Sequence, residues 1–215
     1  MTRFSPAYLL LLFVLPLVWA CGGTAATTNN EAATAEPETP PAEVEPLVAE
    51  APSGDHFTIH TLNDSIKSPR KEMSGMIGQL GVAVNYGSPA VNGRTIYGDL
   101  VPYDKVWRTG ANEATQISFK TDVLLGEEGV AVPAGTYALF TMPASKDDWT
   151  IIINEGADLW GAYDYQEAQD VARVAGVATP NDPPAERMDF SLGEDEVRLH
   201  WDDLVVSFKV AAAGK

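Results

Sequence analysis

From Leu80 onward the chain alternates. Leu80, Val82, Val84 and Tyr86 are separated by Gly81, Ala83 and Asn85, and Ile117 and Phe119 stand between Gln116, Ser118 and Lys120. A period of two puts one set of side chains on one face of an extended chain, so these segments read as half-buried β-strands. Residues 135–142 differ, because Tyr137 and Leu139 share one face while Ala138, Phe140 and Met142 share the other. That pattern predicts a strand covered on both sides, near the centre of a sheet. Trp149, Ile151 and Ile153 follow, then Met188, Phe190 and Leu192, then Val197, Leu199 and Trp201, and finally Leu204, Val206, Phe208 and Val210. Asp202-Asp203, between the last two runs, fits a two-residue hairpin.

Turn residues separate these runs at Gly87-Ser88-Pro89, Asn92-Gly93, residues 126–129, Lys146-Asp147-Asp148 and residues 180–184. Many short strands with such punctuation predict an all-β fold, an antiparallel β-sandwich or jelly-roll-like single domain over residues 55–215. A turn or two within residues 164–170 is the one helix the pattern allows.

The N-terminus carries a different signal. Arg3 precedes an apolar run from Tyr8 to Val18, and Leu17-Val18-Trp19-Ala20-Cys21 follows. This is the layout of a secretory signal over residues 1–20, and its end resembles a bacterial lipobox. The resemblance implies that Cys21 becomes the lipidated first residue of an exported protein, anchored to a membrane through several acyl chains. Gly22 after the cysteine resembles lipoproteins sorted to the outer membrane, with the face undetermined. Residues 21–54 turn to Ala, Thr, Pro and Glu, with neither lysine, arginine nor aromatics. Such a segment buries too little apolar surface to offset its chain entropy and is expected to be a disordered tether.

Charge narrows the partners. With 30 acidic against 14 basic residues the net charge is -16, the wrong sign for a phosphate backbone, so nucleic acid is not an expected partner. The single cysteine and three histidines leave little for a disulfide or a soft-metal site, and no metal or other cofactor is expected. Gly75-Met76-Ile77-Gly78 and Gly156 lack the flanking residues of a phosphate-binding loop, and no serine occupies a nucleophile elbow.

The candidate chemistry gathers at residues 102–115, Pro-Tyr-Asp-Lys-Val-Trp-Arg-Thr-Gly-Ala-Asn-Glu-Ala-Thr. Gly110 permits a left-handed or otherwise tight backbone, which would fold Trp107 and Arg108 back towards Asn112 and Glu113. An indole face, a planar cation, an amide and a carboxylate in one place suit a polar ligand. The same residues also close an ordinary turn, with Trp107 in the core and Arg108 paired to Glu113. Arg94, Trp160 and Tyr163 are further candidates for the groove. Arg173 shares its strand parity with Val171, Ala175 and Val177 and so is expected to point inward, where it needs a partner such as Glu113 or Asp164. Trp149 and Trp201 fit core alternation.

Ser68-Pro69-Arg70, Tyr86-Gly87-Ser88-Pro89, Gly93-Arg94, Tyr97-Gly98-Asp99-Leu100-Val101-Pro102-Tyr103, Val106-Trp107-Arg108-Thr109-Gly110-Ala111-Asn112, residues 133–140 and Trp160-Gly161-Ala162-Tyr163 occur in this order. The series resembles the bacterial envelope family known as domain of unknown function 2911, over about residues 68–210. The resemblance implies an exported, often lipid-anchored, β-rich protein and no particular activity. Three readings follow: a lipid-anchored binding or accessory module with a polar-aromatic groove for a small ligand or glycan, an envelope hydrolase using Glu113 and a second carboxylate, and a purely structural envelope protein. Whether the protein is an enzyme is left open, with binding favoured.

Overall fold

A computed structural model describes residues 56–214. The expected signal segment, the expected lipidation site at Cys21 and the expected tether over residues 21–54 lie outside the described residues. The strands are β1 (Phe57–Asn63), β2 (Arg70–Ile77), β3 (Leu80–Gly87), β4 (Thr115–Phe119), β5 (Val123–Leu125), β6 (Val130–Val132), β7 (Gly135–Pro143), β8 (Asp148–Asn154), β9 (Asp170–Leu192) and β10 (Glu196–Ala212). One 3₁₀ turn, Glu167–Gln169, falls within the segment expected to be helical. Among the described residues no helix is long and apolar enough to cross a membrane.

The all-β antiparallel expectation holds, and both walls of the core come from one sheet. Its ten strands run in the order β1-β2-β3-β4-β7-β8-β9-β10-β5-β6. The sheet curls because β9 is long enough to serve two neighbourhoods. Its first part pairs with β8, from Asp148↔Val177 to Asn154↔Asp170, while its last part reaches the chain just beyond β3. There the Val91 N–H donates to Glu186 O at 2.7 Å, the Met188 N–H donates to Pro89 O at 3.0 Å, and Ala90 bridges Arg187. Side chains fasten the same seam. The Lys71 ammonium sits 2.6 Å from the Asp189 carboxylate, the Tyr86 hydroxyl donates to it at 2.9 Å, and the Tyr86 ring meets Phe190 edge-on at 4.9 Å.

The alternating residues fill the interior as their spacing requires. Leu80, Val82, Val84, Tyr86, Ile117, Phe119, Trp149, Ile151, Phe190, Leu199, Trp201, Val206 and Val210 are all buried in one cluster. Strand β7 is covered on both faces, with Leu139 in that cluster and Ala138 and Phe140 in a second one with Ala114 and Ile152. The loop after β8 supplies the outer cover, packing Leu159, Ala162 and Tyr165 over β7 and β8.

The last two apolar runs are not a hairpin. Asp202 lies inside β10 with φ 50°, and the pairing with β9 shifts register on either side of it. Val197, Leu199 and Trp201 are odd-numbered, Leu204, Val206, Phe208 and Val210 even-numbered, and both sets are buried. From His200↔Asp189 to Leu204↔Pro180, β9 runs through more residues than β10, and this irregularity switches the phase of β10 at Asp202 while keeping one face inward. The proline-rich residues 180–184, expected to form a turn, lie within β9 opposite this bulge, since Leu204 pairs with Pro180 and Asp202 with Ala185. The two long strands bend together there.

Candidate functional site

Between β3 and β4, residues 88–114 form a connection well beyond the ~12–15 residues at which structureless loops are usually functional. It is held at several points. Ile96, Val101 and Trp107 sink into the core, and Trp107 pairs with Thr141 in β7 through two backbone hydrogen bonds of 2.7 and 2.9 Å. The Arg94 N–H donates to Val91 O across Asn92 and Gly93, which have φ 50° and 66°. Two consecutive left-handed residues make the tight turn that an Asn-Gly pair favours.

At residues 107–115 the glycine acts by closeness and its neighbours by handedness. Thr109 and Asn112 hold φ 53° and 66°, whereas a Cβ at Gly110 would lie 2.9 Å from Thr115 Oγ1 and 3.0 Å from Gly87 O. A buried β-branched residue in the left-handed region costs about 1–3 kcal/mol and persists where its surroundings impose it. At Thr109 the surroundings are explicit. Its hydroxyl reaches Thr141 Oγ1 at 3.2 Å, and its carbonyl accepts from the Thr115 hydroxyl at 2.7 Å.

The result is a cavity of about 280 Å³. Trp107, Trp201 and Leu100 give its apolar wall, Ser68, Asn92 and Asn112 its neutral polar groups, and Lys67, Arg94 and Arg108 its charge. Among the described residues no aspartate or glutamate lines it. The two indoles stack with centroids 5.7 Å apart and planes inclined by 16°. Trp201 is held from behind by the Tyr97 hydroxyl, which donates to its carbonyl at 2.7 Å; burial first, then Asp202 and Asp203, push that hydroxyl's pKa far up, so it stays a donor. Arg94 is fixed through donation to the carbonyls of Ala90 and Val91.

Two donors on residues that line this cavity have no partner among the described residues. Arg108 Nε and Trp201 Nε1 are buried, and neither finds an acceptor among the described residues. Buried polar groups are nearly always paired, and an orphan costs about 1–3 kcal/mol.

Of the residues singled out by sequence, Trp107, Arg108, Asn112 and Arg94 line the cavity together. Glu113 does not line it. Its carboxylate lies 3.6 Å from Arg70 Nη1 instead of on Arg108, and Arg70 also donates to the carbonyls of Asn85 and Ala114. Burial draws the Arg70 pKa down and Glu113 works against that. Trp160 and Tyr163 project from the loop over β7 and β8, 61% and 88% exposed. That loop passes close to the site, because a Cβ on Gly161 would be 3.6 Å from Arg108 Cδ.

Arg173 is a correction. It faces outward, while Ala172 and Val174 are the buried residues of its segment. The apolar neighbours that suggested an inward face, Ala175 and Val177, are themselves exposed. Arg173 pairs with Asp170 at 2.7 Å and Glu167 at 3.5 Å and donates to the Tyr165 hydroxyl at 2.7 Å. Partial burial alone would lower its pKa, but the bonds to Asp170 and Tyr165 prevail and raise it.

Sequence reasoning did not place Lys67 or Trp201 at the site. Lys67 carries no local signal, and Trp201 is buried as its alternation predicts, with only its place in the cavity lining to distinguish it. Among the described residues no group of three histidine, cysteine, aspartate or glutamate side chains could hold a metal. A family model described as "Protein of unknown function (DUF2911)" matches residues 68–210. No curated protein and no solved structure matches the chain.

Proposed function

Because the chain belongs to the DUF2911 family, whose function is unknown, membership supplies no reaction, and we propose that the protein is a lipid-anchored binding module of the cell envelope whose ligand occupies the cavity of Trp107, Arg108, Asn112 and Arg94. The observation that carries this reading is the pair of unsatisfied buried donors, Arg108 Nε and Trp201 Nε1, on residues that line one cavity. A ligand that accepts from them would satisfy both donors. The strained Thr109 beside Arg108 supports the same reading, since strain of this kind gathers at ligand clamps.

Binding is favoured over carboxylate-driven hydrolysis because Glu113 is engaged by Arg70 and the cavity has no acidic lining among the described residues. Export and anchoring rest on the resemblance of residues 17–21 to a lipobox, with the outer membrane as destination.

A thermal-shift screen of the purified protein against sugars, peptidoglycan fragments, carboxylates and phosphates tests the reading, because a ligand selective for the folded state raises its melting temperature. Stabilisation that disappears in Arg108→Ala is expected. If no ligand shifts the wild type and Arg108→Ala only lowers its melting temperature, the segment is structural and the binding reading falls.

A further inference from the structure

We infer that the cavity is an oxyanion site, taking a small ligand through a carboxylate, sulfate or phosphate group; this deepens the binding reading above and rests on it. The first argument is composition against location. Acidic residues outnumber basic ones 30 to 14, yet the charged residues lining the cavity are Lys67, Arg94 and Arg108, with no acid among the described residues. Charged residues drawn at random from this chain would be mostly acidic.

These cations are also uncommitted. None of the three has a carboxylate within 4.0 Å among the described residues, although Arg70, Lys71, Arg173, Arg198 and Lys209 all do. Arg94 spends two of its N–H groups on the Ala90 and Val91 carbonyls, which fixes the guanidinium in place without neutralising it.

The unsatisfied atoms agree in kind. Arg108 Nε and Trp201 Nε1 are both donors, and an indole N–H has no acceptor capacity at all. The charged and unpartnered side-chain groups of the site are all donors, and an ionised oxyanion, which only accepts, is complementary to them. A neutral sugar hydroxyl or an amide could use Ser68, Asn92 and Asn112 but would leave the positive charge of Lys67, Arg94 and Arg108 unanswered. The stacked indoles then form a flat wall for whatever carries the anion. At about 280 Å³ the cavity is at the small end of ligand sites, so a single acidic unit fits rather than a polymer segment.

Calorimetric titration of the full-length protein separates the possibilities. Inorganic phosphate and acetate probe the bare group, and glucuronate set against glucose probes the same charge on a sugar. We expect saturable one-site binding by at least one of the three anions and none by glucose. Lys67 is exposed, so Lys67→Gln leaves the melting temperature unchanged and weakens anion binding about tenfold, the scale of one charge-assisted contact; Arg108→Gln weakens it further. Glucose binding as tightly as glucuronate, unaffected by Lys67→Gln, would overturn the anion assignment and leave the binding reading intact. Anion binding insensitive to both substitutions identifies an adventitious surface site and also overturns it. If all four probes fail at high millimolar concentration the oxyanion site is wrong, and the broader thermal-shift screen alone decides whether the cavity binds anything.

Discussion

Gly87 shows how little room the site has. A Cβ there would lie 2.1 Å from the Ala111 carbonyl oxygen, and the Ala111 N–H donates to Gly87 O at 3.2 Å, so the backbone of residues 107–112 rests directly on the end of β3. Gly87→Ala forces that segment away. We predict a loss of roughly 1–3 kcal/mol in denaturant unfolding together with loss of ligand-induced stabilisation. Tyr97→Phe is milder. It deletes the 2.7 Å bond to the Trp201 carbonyl, and a loss of about 1 kcal/mol is expected on the same unfolding assay. Trp107, Arg108 and Asn112 were readable as a cluster because they lie within one turn of chain, where sequence neighbourhood and spatial neighbourhood coincide. Trp201 and Lys67 reach the cavity from β10 and from the segment before β2, and nothing local to either residue reports that meeting. Arg173 was misread because parity assigns a face without saying which face is inside, and Ala175 and Val177 are apolar residues on the solvent side.

At the level of elements, the most instructive feature is the shared bend of β9 and β10. The parity switch from Trp201 to Leu204 was visible in the sequence, but a hairpin and a bulge both interrupt alternation, and only the pairing partner separates them. Deleting Asp202 puts Val197 to Val210 in one regular alternation, so the apolar set stays inward while the irregularity opposite residues 180–184 is lost. The predicted outcome is a lower unfolding midpoint with the cooperative transition kept, followed by circular dichroism. The outer face of the same strand pair carries a proton-linked contact, in which His200 Nε2 lies 2.7 Å from Ser191 Oγ. Burial, then Arg198, lowers the His200 pKa against an opposing pull from Asp189. The sign follows directly. The unfolded chain takes up the proton first, near pH 6.5, so stability present above that value declines as the pH falls through 6.5 towards the depressed folded value and then levels. His200→Gln should remove this step from a plot of melting temperature against pH while leaving the losses at lower pH, where Glu196 titrates. Burial alone would raise the Glu196 pKa, but bonds from Ser207 and Arg198 outweigh it and lower it.

For the whole molecule, the described residues form one rolled sheet with a cationic cavity, and a lipid anchor at Cys21 is proposed. Cys21→Ser is expected to move the protein from the membrane to the soluble fraction on cell fractionation, without changing ligand binding. A net charge of -16 repels free anions at long range, so recognition at the cavity must come from short-range contacts, chiefly the buried donors. One measurement addresses those donors most directly. The chain has five tryptophans, and the indole N–H groups can be followed individually by ¹⁵N-edited NMR during titration with phosphate, acetate or glucuronate. Trp149 is an internal control, its N–H already donating to Lys146 O at 2.9 Å. The account predicts a saturable shift of the Trp201 indole N–H as it gains an acceptor, with the Trp149 signal unmoved. A Trp201 signal that stays fixed while any of these ligands saturates the protein would place the binding elsewhere and contradict the assignment of this cavity.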